Sequence, residues 1–208
     1  MKLFSPAAER NKAPFAEVLR NILPETGLVL EIAGGSGQHA AFMAAHFPGL
    51  EWQTTERDER ELASMRAYRQ ESDLANFLPP MRLDVFDVPW PVLSADAIVC
   101  MNMVHISPWE ATLRLLEGAA DVLRDGGVLC LYGPYRRTHE ATVPSNEQFD
   151  ASLRQRDPSW GLRVLEDVAK EAKVRALELQ VIHPMPANNL TVVFRRTHGL
   201  SDEPTRCN

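Results

Sequence analysis

Residues 28–37, LVLEIAGGSG, constrain the fold of this chain more than any other stretch. An apolar, β-branched run reads as a buried strand, carries one acid, Glu31, and breaks at once into a glycine-rich turn. Residues 38–47, QHAAFMAAHF, follow with helix-forming composition. Strand, glycine turn and helix together let a backbone approach a nucleotide-like ligand closely. Glycine tolerates positive φ and leaves no Cβ in the way, and the free N–H groups of the next helix face the ligand.

The rest of the pattern separates the possible ligands. A dinucleotide fold requires G-x-G-x-x-G, whereas this chain has Glu31-x-Ala33-x-Gly35-x-Gly37, with Gly34 between. The phosphate-cradling G-x-x-x-x-G-K-[ST] is absent. Ala33 takes the place of the usual first glycine, which is acceptable if its φ is negative. The next strand-like run, 51–55, ends at Glu56, 19 residues beyond Gly37. That matches the offset of about 20 residues for an acid that holds ribose hydroxyls, and an acid there repels a 2′-phosphate. Asp58 competes with it as a helix N-cap. Leu83, Asp84 and Val85 end a short apolar run after Pro79 and Pro80, with Asp87 as a rival acid. Residues 95–101, ADAIVCM, read as a buried strand leading into Asn102 and His105. Residues 122–131, VLRDGGVLCL, read as a helix end, a Gly-Gly turn and a fifth strand.

In this order and spacing, E-x-(A/G)-x-G-x-G, the acid after strand two, the Asp after strand three and L-R-x-G-G-x-L resemble class I S-adenosylmethionine-dependent methyltransferases. The resemblance implies that Glu31, Ala33, Gly34, Gly35, Gly37 and Glu56 hold S-adenosylmethionine and its product S-adenosylhomocysteine. It implies that Asp84 and Val85 meet the adenine and that Asn102 lies under the methionine part. Further blocks narrow it: FSPAAERNK from Phe4, NMVHISPW from Asn102, YGPY from Tyr132, DASLR from Asp150, DPSWG from Asp157 and MPANNL from Met185. These resemble the domain-of-unknown-function group that includes methyltransferase-like protein 26, from about residue 4 to Arg196. That group implies the fold and the cofactor and leaves the methyl acceptor open.

Residues for the acceptor follow less directly. His105 lies past strand four, at the carboxyl edge where ligands bind in such sheets, and can take a proton near neutral pH. Packing against Trp109 competes with that role. Trp109, Tyr132 and Tyr135 are candidates to line the acceptor pocket, and Arg10, Asn11 and Lys12 join them if the N-terminal arm folds over the site. Methyl transfer needs alignment in a water-poor pocket more than it needs an acid–base pair, so the lack of one does not count against it.

Alternating strands and helices predict a parallel sheet covered on both faces. Expected strands are 28–33, 51–55, 81–85, 95–101, 127–133, 174–183 and 189–196; expected helices are 14–22, 37–47, 58–70, 109–123, 145–156 and 161–172. Too few residues separate the last two strands for a parallel crossover, so they form an antiparallel hairpin. The resembled fold has strand order 3-2-1-4-5-7-6. The expected domains are an arm (1–13), one methyltransferase domain (14–196) with a lid-like insertion (136–160), and a flexible tail (197–208).

With 208 residues, 45 % of them hydrophobic, the chain can bury one full core. It has no 18-residue apolar run and no metal-ligand spacing, and its opening, neither basic nor apolar, leads us to expect no signal peptide. Cys100 and Cys130 read as buried small hydrophobes, and Cys207 falls in a polar tail. The expected setting is the reducing cytoplasm. A net charge of −6 argues against a nucleic-acid substrate, and a small molecule is the expected acceptor. Two rival readings remain: a non-catalytic binder of the same cofactor, and a nicotinamide-dependent oxidoreductase, which predicts a parallel final strand.

Overall fold

The computed structural model describes residues 1–197. The elements run α1 (Pro6–Leu19), β1 (Gly27–Ile32), α2 (Gln38–His46), β2 (Leu50–Glu56), α3 (Glu59–Ser72), β3 (Met81–Arg82), β4 (Ala95–Met101), α4 (Trp109–Val122), β5 (Leu123–Gly133), α5 (Pro144–Arg156), α6 (Leu165–Val174), β6 (Leu177–Met185) and β7 (Asn189–Arg196). They build one seven-stranded sheet in the order β3-β2-β1-β4-β5-β7-β6. The pairs β1–β2, β1–β4, β2–β3 and β4–β5 are parallel, while β7 runs antiparallel to both β5 and β6. The closing hairpin is tight because only the turn Pro186–Asn188 joins its strands.

Neighbouring residues of the central strands go to opposite cores, as the pleat requires. Leu30, Ile32, Ile98, Cys100, Leu129 and Leu131 pack with Leu115, Leu116 and Val168 of α4 and α6. Val29, Ala97, Val99, Val128 and Cys130 pack with Phe15, Leu19, Ala40 and Met43 of α1 and α2. Near-continuous apolar strands are thus explained by helices on both faces. Cys100 and Cys130 are buried and unpaired, and burial pushes the Cys130 thiol up to about 12. Among the described residues no helix is long and apolar enough to cross a membrane.

Four elements differ from the sequence expectation. The first helix begins at Pro6, not Pro14: Ser5 caps it by accepting from the Ala8 N–H, and Pro14 sits inside. An internal proline costs about 3 kcal/mol, and burial of Phe15, Ala16 and Leu19 offsets it. Strand β3 stops after two residues because the chain turns at Asp84, whose Oδ1 accepts from Phe86 N–H at 3.2 Å. The Gly126-Gly127 pair lies within the span of β5 and not before it: the chain passes from Leu123 to Val128 while β4 passes from Ala95 to Ala97, and Gly126 takes φ 78° in the excursion. Helix α6 starts at Leu165 because residues 161–163 are tied to the loop after β4, with the Gly161 N–H on the His105 carbonyl at 2.9 Å. Of the expected tail, residues 198–208, with Cys207, lie outside the described residues.

Candidate functional site

At the carboxyl ends of β1 to β4 lies a cavity of about 360 Å³. Ile32, Ala33 and Gly35 form its floor, Glu56, Arg57, Asp58 and Glu61 one wall, and Leu83, Asp84, Val85 and Phe86 the next. Met101, Met103, Ile106, Ser107, Pro108 and Trp160 close the remaining side.

The glycine loop is held from below. Glu31 is buried, and its Oε2 accepts from the Trp52 indole N–H at 3.2 Å. Burial pushes its carboxyl up to about 7, against hydrogen bonds from Thr54 and Trp52 that favour the anion. Glu31 therefore braces the loop and does not line the cavity. A Cβ on Gly34 would stand 2.3 Å from Thr54 Oγ1 and 2.9 Å from Glu31 Oε2, and one on Gly37 would stand 2.9 Å from the Met65 Cα. Those contacts, with φ of 89° at Gly37, explain two of the glycines. Ala33 corrects the expectation of negative φ: it sits at φ 55°, in the left-handed region.

Glu56 ends β2 with only 6 % exposure. Its carboxylate accepts from Gly35 N–H at 3.2 Å, Arg57 N–H at 2.8 Å and Asp58 N–H at 3.4 Å. One acid thereby joins the glycine loop to the turn after β2. Asp84 faces it across the cavity, with Arg57 at 3.5 Å. This donor and acceptor set fits a nucleoside: a buried acid for a diol, a second acid beside an apolar slot of Val85 and Phe86, and a backbone that comes close.

Other expected residues fall elsewhere. Asn102, at φ 61°, bonds its N–H to the Tyr132 carbonyl at 2.8 Å and lies between the cavity-lining Met101 and Met103. His105 is fully buried, and its Nδ1 accepts from Arg163 N–H at 3.4 Å. Burial, with Arg163 nearby, pulls its pKa down to about 3. It packs edge-on to Tyr135, with ring centroids 4.7 Å apart, and does not reach the cavity. The expected general base is corrected to a packed, neutral histidine. Trp109 lies under the Arg163 guanidinium at 5.8 Å, and Tyr132 and Tyr135 are buried in the two cores, so none lines this cavity.

The N-terminal residues do meet the glycine loop, although not as an arm. Ser5 N–H donates to the Gln38 side chain, Leu3 N–H donates to Ser64 Oγ at 2.7 Å, and Ser64 Oγ donates to the Ser36 carbonyl at 2.7 Å. Asn11 bridges His39 Nε2, at 2.7 Å, and the Tyr132 hydroxyl. Lys12 pairs with Glu9 at 2.5 Å and lies over the Phe42 ring, while Arg10 is exposed.

Sequence reasoning missed Glu61 and Trp160. Glu61 was legible as the residue three after the cap Asp58. Trp160 comes from the insertion, where Asp150 ties α5 down through Arg136 at 3.1 Å, Arg154 at 2.9 Å and Leu162 N–H at 2.7 Å. Arg156 covers the Trp160 ring at 4.9 Å.

Several solved structures share this fold. An O-methyltransferase family 2 protein from Planctomyces limnophilus, complexed with apigenin, is 19 % identical at a TM-score of 0.78, over 92 % of this chain and 58 % of its own. An O-methyltransferase family protein from Burkholderia thailandensis is 16 % identical at 0.76, over 90 % and 57 %. CalO1, a methyltransferase in calicheamicin biosynthesis, solved in its S-adenosylhomocysteine-bound form, is 17 % identical at 0.69, over 88 % and 53 %. The chain spans little more than half the length of these proteins, and at such identities the likeness is one of fold. In sequence, the match over residues 2–196 is to a family described as protein of unknown function, and the chain belongs to that family, DUF938.

Proposed function

We propose that the cavity binds S-adenosylmethionine and that the chain transfers its methyl group to a small-molecule acceptor. The observation that supports this best is convergence: Ala33, Gly35, Glu56, Asp84 and Val85, from the ends of three adjacent strands, line one cavity. Glu56 receives the ribose hydroxyls, which replace backbone N–H groups as its partners. Asp84 accepts from the adenine amino group beside Val85. Four acids in the lining, Glu56, Asp58, Glu61 and Asp84, suit a cationic ligand and disfavour a phosphate. The fold likeness to CalO1 with S-adenosylhomocysteine and to the apigenin complex supports the same cofactor and acceptor class. So does the resemblance of the blocks at Phe4, Asn102, Tyr132, Asp150, Asp157 and Met185 to the group that includes methyltransferase-like protein 26.

The cofactor's sulfonium supplies a methyl group ready for direct in-line attack. The chain's own contribution is to hold, align and exclude water, with Ile106, Pro108, Trp160 and Phe86 as the apolar walls. No base is required of His105, whose burial keeps it neutral and out of reach. The antiparallel β7 counts against a nicotinamide oxidoreductase. A non-catalytic binder of the same cofactor is the second reading, favoured by the packing of His105, Tyr132 and Tyr135 away from the cavity.

Isothermal titration of S-adenosylhomocysteine tests the proposal. Glu56→Ala should weaken binding by about 1–3 kcal/mol, the scale for polar groups left without a partner. An unchanged affinity refutes the assignment. Methylated product from an acceptor screen, begun with hydroxylated aromatics, separates enzyme from binder.

A further inference from the structure

Among the described residues, Trp160 is the one from beyond β5 that lines the cavity, and the cofactor reading uses it only as an apolar wall. Local sequence sets it on a rigid corner. Helix α5 ends at Asp157, and Pro158 cannot continue it. Asp157 Oδ1 accepts from the Ser159 N–H at 2.8 Å and from the Ser159 hydroxyl at 2.6 Å, as turn-forming aspartates do. The Trp160 N–H then closes the turn on the Asp157 carbonyl at 3.0 Å.

This corner is fastened to the loop after β4. The Arg163 guanidinium donates to the carbonyls of Val104 at 2.8 Å, of Ser159 at 3.2 Å and of Ser107. Ser159 and Ser107 share one nitrogen of that group, which sets Trp160 beside Ser107 and Pro108 in the cavity wall. Arg156 lies over the indole at 4.9 Å from its centroid, taking one face and leaving the other to the cavity.

That position selects a part of the ligand. Ser107 and Pro108 lead into α4, whose Ala111 lines the cavity and shares a core with Leu83 and Val85. Trp160 therefore stands on the side of the cavity that Leu83, Asp84 and Val85 bound, where the adenine is assigned. A half-buried indole there offers a flat π-surface to a flat heterocycle. Trp52, Trp90 and Trp109 do not line the cavity.

We propose that Trp160 stacks on the purine ring of the cofactor, so that the insertion after β5 closes the base slot. The assignment rests on the cofactor reading for the identity of the base. Asp84 then reads the exocyclic amino group, while Trp160 supplies contact area to the ring face, which any purine presents.

Tryptophan emission of the whole chain, titrated with S-adenosylhomocysteine and with adenosine, reads the contact, and calorimetry reads the affinity. Both ligands should quench the wild-type emission. Trp160→Ala should weaken both by about 5- to 150-fold, the range of base–aromatic stacking. Trp160→Phe keeps an aromatic face, so it should recover most of that affinity and lose the quenching. Unchanged affinity of Trp160→Ala for both ligands overturns the proposal and leaves the indole to the acceptor; quenching that survives in Trp160→Phe overturns it as well. Should Trp160→Ala fail to fold, the Trp160→Phe titration decides alone. Binding of S-adenosylhomocysteine to wild type without quenching overturns the stacking and leaves the cofactor reading standing. No binding of either ligand to wild type overturns both.

Discussion

Glu31 offers the most direct test of how the glycine loop is held. It is fully buried, and its carboxyl is pushed from 4.5 to about 7, first by burial, with the Thr54 and Trp52 hydrogen bonds opposing. The unfolded chain gives up this proton near 4.5, whereas the native state keeps it to about 7. The native state therefore binds more protons in that window, and the stability so contributed is present below 4.5 and lost as pH rises through 7. At about 1.4 kcal/mol per pH unit, the full loss is about 3 kcal/mol and is complete near pH 9. Glu31→Gln keeps an oxygen for the Trp52 N–H at 3.2 Å and mimics the neutral acid. Urea unfolding of both proteins at pH 5, 7 and 9 reads the difference, in which His39, His105 and Glu61 titrate alike and cancel. Glu31→Gln should gain about 3 kcal/mol on wild type between pH 5 and pH 9, about 1.5 M in the urea midpoint at a slope near 2 kcal/mol per M. A gap constant to within about 0.5 kcal/mol across that range would mean that Glu31 is ionised in the fold, and the brace under Gly34 would need another explanation.

Three further substitutions follow from the structure. Ala33 at φ 55° carries strain of about 1–2 kcal/mol, which Ala33→Gly relieves at an unfolded-state cost of about 0.4–1 kcal/mol, so thermal unfolding should show no loss and a gain of up to about 1.5 kcal/mol. Gly37→Ala should instead destabilise by more than 2 kcal/mol on the same assay, because its Cβ would meet the Met65 Cα at 2.9 Å as well as the wrong φ. Asp150→Asn should destabilise by about 2–3 kcal/mol, since one buried carboxylate receives Arg136, Arg154 and the Leu162 N–H. The Asp150 carboxyl is held below its usual 3.8 by Arg154, Leu162 and Arg136 against the opposing effect of burial, so this contribution is present above 3.8 and fades as pH falls below it. The deficit of Asp150→Asn in urea should therefore shrink in acid; a deficit that grows there would refute the role.

What the chain reveals before folding divides by the range of the interaction. The strands and the antiparallel closing pair were legible because each strand is a local apolar run and the short last connection allows only a hairpin, whereas the sheet order came with the family resemblance. Glu56 and Asp84 were legible because a strand end is a fixed place in such a sheet, whatever packs around it. His105 was not, because its role depends on Arg163 and Gly161, more than fifty residues later, closing over it. The start of α1 was missed for a related reason: Pro14 alone signals a first turn, and only the burial of Phe15 and Leu19 against the sheet makes it tolerable inside a helix. Ala33 fell on the wrong side of the Ramachandran map because the loop's course is set in part by Thr54 and Met65 beneath it, neither of which its own sequence names. The same holds for Glu61. Its spacing from Asp58 promised a closed capping box, and the structure leaves that box open because Glu56, committed to the cavity, already holds the amide that would close it. Where a local rule is broken next to a cavity, the bond that breaks it marks the group that a ligand has to displace.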